Sequence, residues 1–334
     1  MNDTSFFSSN NYIFLPTKKN PKVALVIDNS KLSKNTFKLY NPFSSKAKLF
    51  KSVMKFCFVN LNLIFNLFMG IKKEKSNFIK YLESELGQEL VISLYFATIK
   101  DKIVLQLQSS DAKVIGYLKY PLNEVGLKHI KNEILAFDIL ARVKIVEPYI
   151  LSKEYNGKPF LLSSELDGTI DRVDIEDIDI LVNSLEREAV FKLINHPRIM
   201  LLRNALIKND MTIYISKLDF ICENSTLEYK LVYEHGDFTP WNVVKVKDKY
   251  IPFDFEYFVE DGLEYFDLIK YYYQIGKLLE AKNGEELLKF VNKNLYIEEL
   301  KELFFLFLIK EILRGIEENE SFGFEENMIK VLEK

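Results

Sequence analysis

Two aspartates and an asparagine carry the chemistry this chain can do. Residues 235–257 read HGDFTPWNVVKVKDKYIPFDFEY, with Asn242 five positions after Asp237 and Asp254 twelve positions after Asn242. Two carboxylates and a carboxamide offer hard oxygen donors, which suit Mg²⁺ and lack the soft ligands expected for zinc. The spacing fits phosphoryl transfer. Asp237 would accept the proton of an attacking hydroxyl, and Asn242 and Asp254 would hold the Mg²⁺ that bridges the phosphates. Pro240 and Trp241 stiffen the turn between the first two groups. Val243, Val244 and Val246 then face Tyr250, Ile251 and Phe253 across the polar turn at residues 247–249, so a hairpin returns Asp254 to the neighbourhood of Asn242.

HGDxxxxN followed by an aspartate in Phe253-Asp254-Phe255-Glu256-Tyr257 resembles the aminoglycoside phosphotransferase and choline kinase family of small-molecule kinases. The DFEY run with Phe266-Asp267 beyond it is similar to the choline and ethanolamine kinase branch. The HGD opening departs from that branch, which more often has HND, and is closer to the wider family. The resemblance implies an α+β, two-lobed protein-kinase-like fold, with an antiparallel-sheet small lobe and a mostly helical large lobe. It implies ATP and Mg²⁺ as cofactors, and Asp267 as an acid that braces the catalytic loop. His235 is expected to be structural, because phosphoryl transfer needs positioning more than proton shuttling.

The rest of the chain must supply the phosphate grip. From Leu90 the pattern turns to period two, giving strands over residues 91–99, 103–107 and 114–120. Lys119, at the far end of the third strand, is preferred for gripping phosphate over Lys113, which sits beside a turn where a solvated lysine is the default. Asn123 opens the following helix, whose Glu133 either reaches back to Lys119 or stays in solvent. Residues 158–162 read as a further strand, and residues 163–168, which include Glu165, as a hinge offering backbone groups to adenine. Gly168 marks the passage into the large lobe. The turn at residues 97–101 has no glycine, so a Gly-rich cover over the phosphates is absent.

Domain boundaries follow: an N-terminal extension over residues 1–89 packing on the small lobe, the small lobe over 90–167, and the large lobe over 168–334. Helical periodicity marks residues 178–194, 199–208, 262–281, 284–292 and 297–316, and residues 231–234 read as a strand feeding the catalytic loop. In the extension, residues 12–15 and 23–27 form a hairpin, residues 43–71 a long helix, and residues 76–87 a short one with Ser76 as N-cap. Lysines flank the apolar part of 43–71, so contact with anionic lipid is considered there. Packing of its apolar face against the small lobe is the preferred reading.

Composition limits the partners. The 334 residues carry a formal charge of −3 with 48% hydrophobic and 28% charged residues, an ordinary globular balance with no basic footprint for nucleic acid. Cys57 and Cys222 are expected to be buried thiols in a reducing cytosol, and the N-terminus lacks the pattern of a secretory signal. A soluble, cytoplasmic protein is expected. The acceptor is a small molecule: Trp241, Glu256, Tyr257 and Glu260, with Asp261, Glu264 and Tyr265, either hold a cationic alcohol or an amino sugar, or cap the next helix. Two other readings stay open, a catalytically weak kinase-shaped scaffold and a protein kinase. The second lacks an evident activation segment after Asp254.

Overall fold

Strict alternation along β1 (Asn11–Pro16) and β2 (Pro21–Val26) sends Tyr12, Ala24 and Val26 into one apolar cluster and Ile13, Val23 and Leu25 into another. These strands therefore give side chains to an apolar cluster on each of their two faces. The computed structural model describes residues 6–39, 45–96, 101–170, 173 and 175–333. Two units divide the chain at residues 167 and 168.

In the first unit, α1 (Ser30–Thr36), α2 (Ser45–Asn60), α3 (Asn62–Met69), β3 (Ile71–Lys72) and α4 (Asn77–Leu86) precede the meander. The meander is β4 (Leu90–Tyr95), β5 (Lys102–Ser109) and β6 (Val114–Pro121), followed by α5 (Glu124–Leu140), β7 (Leu151–Tyr155) and β8 (Lys158–Ser164). All eight strands join one sheet in the order β3-β1-β2-β4-β5-β6-β8-β7. The hairpin of the N-terminal residues thus lengthens the sheet rather than lying on it. Ser76 caps α4 by accepting from the Ile79 N–H, and Gly87 ends it at φ +65°, as the sequence pattern indicates. The glycine-free turn expected at residues 97–101 lies outside the described residues, apart from Asp101.

The long helix expected over residues 43–71 is two helices, α2 and α3, bent by 92° at Leu61. Asn62 explains the break. Its buried amide donates to the Ile27 carbonyl (2.9 Å), Ser33 Oγ (3.0 Å) and the Phe58 carbonyl (3.2 Å), bonds that turn the chain inward at that residue. Among the described residues no single helix is long and apolar enough to cross a membrane. Cys222 is buried, whereas Cys57 is only half-buried, and neither is in a disulfide.

The second unit contains α6 (Ile175–Asn183), β9 (Glu186–Lys192), α7 (Pro197–Lys208), α8 (Ile215–Asn224), β10 (Glu228–Glu234), the hairpin β11 (Val243–Val246) and β12 (Lys249–Pro252), and β13 (Val259–Leu263). The last helices are α9 (Phe266–Gln274), α10 (Gly284–Asn294), α11 (Leu300–Glu318) and α12 (Gly323–Leu332). Two helix expectations fail here. Residues 186–192 are a strand, because pairing with β10 (Tyr229 opposite Phe191, Lys230 opposite Val190) and the Lys230–Glu186 ion pair override the local helical preference. Residues 259–263 are also a strand, the other neighbour of β10, and α9 begins only after Tyr265. One continuous core, including Phe304, Phe307, Ile269 and Tyr273, fills this unit.

Candidate active site

β10 delivers the chain to the loop that bears Asp237 and Asn242. The Asp267 carboxylate, at the start of α9, accepts from the backbone N–H groups of His235 (2.7 Å) and Gly236 (3.0 Å), so Asp267 braces the loop as the resemblance implies. Burial and the nearby Glu234 push its pKa up to about 6. His235 is buried, with its Nε2 2.9 Å from the Phe253 carbonyl and its Nδ1 3.3 Å from the Asp237 N–H, contacts that hold the ring within the loop.

Gly236 has a reason to be glycine. Its φ is +79°, and a Cβ there would fall 2.3 Å from the Tyr257 carbonyl oxygen. The HGD departure from the HND pattern is thus a steric demand of the chain segment that follows Asp254. Gly236→Ala should cost about 2 kcal/mol or more, from left-handed strain plus the clash. Thermal unfolding measures it; an unchanged melting temperature would contradict the geometry.

The three oxygen-bearing residues are stitched together by backbone. Both hydrogens of the Asn242 amide go to Asp237, at 2.9 Å from its carbonyl and 2.9 Å from its Oδ2, which leaves Oδ1 of Asn242 as the atom suited to a metal. The Phe253 N–H donates to the Asn242 carbonyl at 3.0 Å, and the Phe253 carbonyl meets His235. Asp254 follows directly, held at φ +67° in the left-handed region, a strained conformation that tends to mark functional positions. Among the described residues no group of three or more His, Cys, Asp or Glu side chains is placed to hold a metal. Asn242 Oδ1 and the Asp254 carboxylate are nonetheless the kind of donors Mg²⁺ takes, since that ion commonly binds one or two protein oxygens and completes its shell with water and phosphate oxygens.

In the first unit, Lys119 and Glu133 do meet. Lys119 Nζ lies 2.6 and 2.8 Å from the two Glu133 oxygens, and Glu133 is buried on α5 rather than solvated. Lys113 stays exposed at the start of β6. Glu165 lies 2.9 Å from Lys38, an ion pair that engages its carboxylate within the first unit.

The acidic row after Asp254 is not one surface. Glu260 and Asp261 lie on β13, where Arg187 donates to the Glu260 carbonyl (2.9 Å) and sits 3.6 Å from Asp261. Glu264 accepts from the Lys230 N–H at 2.8 Å. None of them caps α9, whose N-cap Tyr265 makes no side-chain cap bond. Glu256, Tyr257 and Trp241 remain on the loops that carry Asp237 and Asp254. Tyr257 lies beneath Arg314, whose guanidinium carbon is 4.9 Å from the ring centre, and burial and Glu256 raise the Tyr257 pKa.

The sequence pattern did not disclose what stands behind Asp237. Lys270 of α9, fully buried, places Nζ 3.3 Å from Asp237 Oδ1 and 2.6 Å from Glu311 Oε2. Arg314 lies 3.6 Å from Asp237 Oδ1 and 2.8 Å from Glu311 Oε2. Lys310 joins Glu234 at 2.7 Å, and Arg198 approaches Glu234 at 3.5 Å. Burial opposes the charge on Glu311, but Lys270, Arg314 and Lys310 outweigh it and hold its pKa down to about 2. Burial likewise lowers the Lys270 pKa, while Glu311 and Asp237 oppose that shift. Asp237 is thereby fixed from one side by two cations, with Asn242 fixing its other oxygen.

No family model and no curated protein matches this chain. Solved structures do. A thermostable mutant of aminoglycoside phosphotransferase APH(4)-Ia, in a ternary complex with ADP and hygromycin B, is similar at a TM-score of 0.52 and 8% identity, over 76% of this chain and 97% of that one. Plasmodium vivax ethanolamine kinase (TM-score 0.46, 13% identity, 91% and 93% coverage) and a putative fructosamine-3-kinase from Thermobifida fusca (0.47, 11%, 77% and 99%) are also similar. At these identities the likeness concerns fold, and the chain has the two-lobed architecture found in the aminoglycoside phosphotransferase.

Proposed function

We propose that this protein transfers the γ-phosphoryl group of ATP to a hydroxyl of a small molecule, with Mg²⁺ as cofactor. The observation that carries the reading is the stitching of Asp237, Asn242 and the Asp254 turn by bonds from the Asn242 amide to Asp237 and from the Phe253 N–H to Asn242, with the Phe253 carbonyl against the His235 ring. The fold shared with an aminoglycoside phosphotransferase supports the same class of reaction.

Asp237 orients the acceptor hydroxyl and takes its proton as the oxygen bonds to the γ-phosphorus and the bond to the bridging oxygen of ADP breaks. Asn242 Oδ1 and the Asp254 carboxylate would hold Mg²⁺, which when bound supplies charge neutralisation at the phosphates. Lys119, oriented by Glu133, binds phosphate oxygens. Trp241, Glu256 and Tyr257, on the loops that carry Asp237 and Asp254, would meet the acceptor. A cationic alcohol, an amino sugar and a surface-glycan sugar all fit this chemistry.

Nucleotide binding should then need the metal. ATP should stabilise the protein by roughly 2–3 kcal/mol at about a hundredfold excess over Kd with Mg²⁺, and far less with EDTA. Equal thermal shifts in the two conditions would remove Asn242 and Asp254 as metal ligands.

A further inference from the structure

We propose that the outward face of α2 and α3 is a docking surface for an anionic lipid bilayer. The proposal goes beyond the phosphotransfer reading and does not depend on it. Leu63, Leu67 and Phe68 are 77%, 82% and 84% exposed, and Phe50, Val53 and Phe56 on α2 are also more than half exposed. In a helix packed on a globular core these residues would face inward. Here the inward position of α3 is taken by Asn62, and the outward one by leucine and phenylalanine.

The orientation is fixed rather than incidental. Asn62 makes three buried hydrogen bonds to residues of β2's end, α1 and α2, and Phe58 packs on Phe37 and Phe65 with ring centres 6.1 and 4.6 Å away. Rotating the helices to hide the apolar face would break these contacts. An apolar face held outward on this scale marks an interaction surface.

Charge chooses the occupant. From Asn29 to Lys73 the sequence contains nine lysines (31, 34, 38, 46, 48, 51, 55, 72 and 73) and no aspartate or glutamate, although the whole chain has 48 acidic residues against 45 basic ones. Lys48 on α2 and Lys72 just beyond α3 are exposed beside the apolar residues. Lysines beside an exposed apolar helix face match the negative headgroups and acyl boundary of an anionic bilayer. A second copy of the chain would instead bring two lysine-rich, acid-free segments together. The 92° bend and the shortness of each helix fit a pair lying in the interface, with neither crossing it.

Sedimentation of the full-length protein with vesicles tests this, using phosphatidylcholine alone and phosphatidylcholine with phosphatidylglycerol at 7:3. Binding should be at least about tenfold tighter to the anionic vesicles and should weaken with added salt. Leu67→Asp with Phe68→Asp should reduce it by about tenfold or more, with an unchanged melting temperature because both sites are exposed. Lys48→Gln and Lys72→Gln should each reduce it by roughly fivefold. Phe68→Trp, which keeps the face apolar, should show a blue-shifted emission with anionic vesicles relative to wild type. Absence of anionic preference overturns the proposal. So does a reversible dimer, indifferent to vesicles, that the double aspartate variant converts to monomer.

Discussion

Asp237→Asn is expected to lower phosphotransfer turnover by a factor on the order of 10² or more while leaving nucleotide affinity within a few-fold of wild type. The reasoning is local. Asparagine keeps the side-chain shape, and an oxygen can still face Lys270 and Arg314, but no group remains to take the hydroxyl proton. Its amide nitrogen also replaces the oxygen that accepts from Asn242 Nδ2 at 2.9 Å, so two donors meet and the Asn242 amide loses a partner. Nucleotide binding rests on other residues and should persist. Calorimetry of ATP binding beside initial-rate measurements separates the two effects, and a variant as fast as wild type would remove Asp237 from the chemistry.

The second large effect is on stability. Glu311 is buried and is the shared anion of Lys270 and Arg314, with Lys310 at 3.7 Å. Glu311→Gln leaves those cations without their common counter-charge and should cost about 3–5 kcal/mol, whereas Lys270→Met, which leaves Glu311 with Arg314 and Lys310, should cost less. The pH dependence has a definite sign. The carboxylate pKa is depressed from its ordinary value near 4.5 to about 2, so its contribution is complete above about pH 4.5 and lost as pH falls toward 2. At 1.36 kcal/mol per pK unit that contribution is about 3 kcal/mol. Acid unfolding of wild type and Glu311→Gln should therefore converge only as pH falls to about 2 and below. Parallel curves would show that Glu311 is not held ionised by its neighbours.

The loop of Asp237 and Asn242 was legible because its information is local. Asn242 lies five positions after Asp237, and a hairpin with plain alternation brings Phe253 back to Asn242. Period two likewise disclosed β5 and β6, and with them the lysine that meets Glu133. The ion network was not legible, since Lys270, Glu311 and Arg314 come from helices some forty residues apart and a charged helix residue is usually solvated. One signal was present. Lys310 and Glu311 interrupt an otherwise apolar run from Leu303 to Ile312, and Lys270 stands between Ile269 and Tyr271. Charges set within such runs must pair when the helix is buried all round. The residues of β9 were misread because their preference is helical, and only the partner strand β10 decides otherwise. In α2 and α3 the apolar periodicity was visible, but periodicity does not reveal which way the face points; the Asn62 bonds do.

The most direct test of the phosphotransfer assignment is an ATP-consumption assay with Mg²⁺ over choline, ethanolamine, amino sugars and neutral sugars, with Asp237→Asn as the blank. The account predicts acceptor-dependent ADP release by the wild type for at least one class, lowered by on the order of 10² or more in the variant. A wild type that binds ATP with Mg²⁺ yet is as inert as Asp237→Asn across the panel would contradict it, and would make the chain a kinase-shaped binding protein.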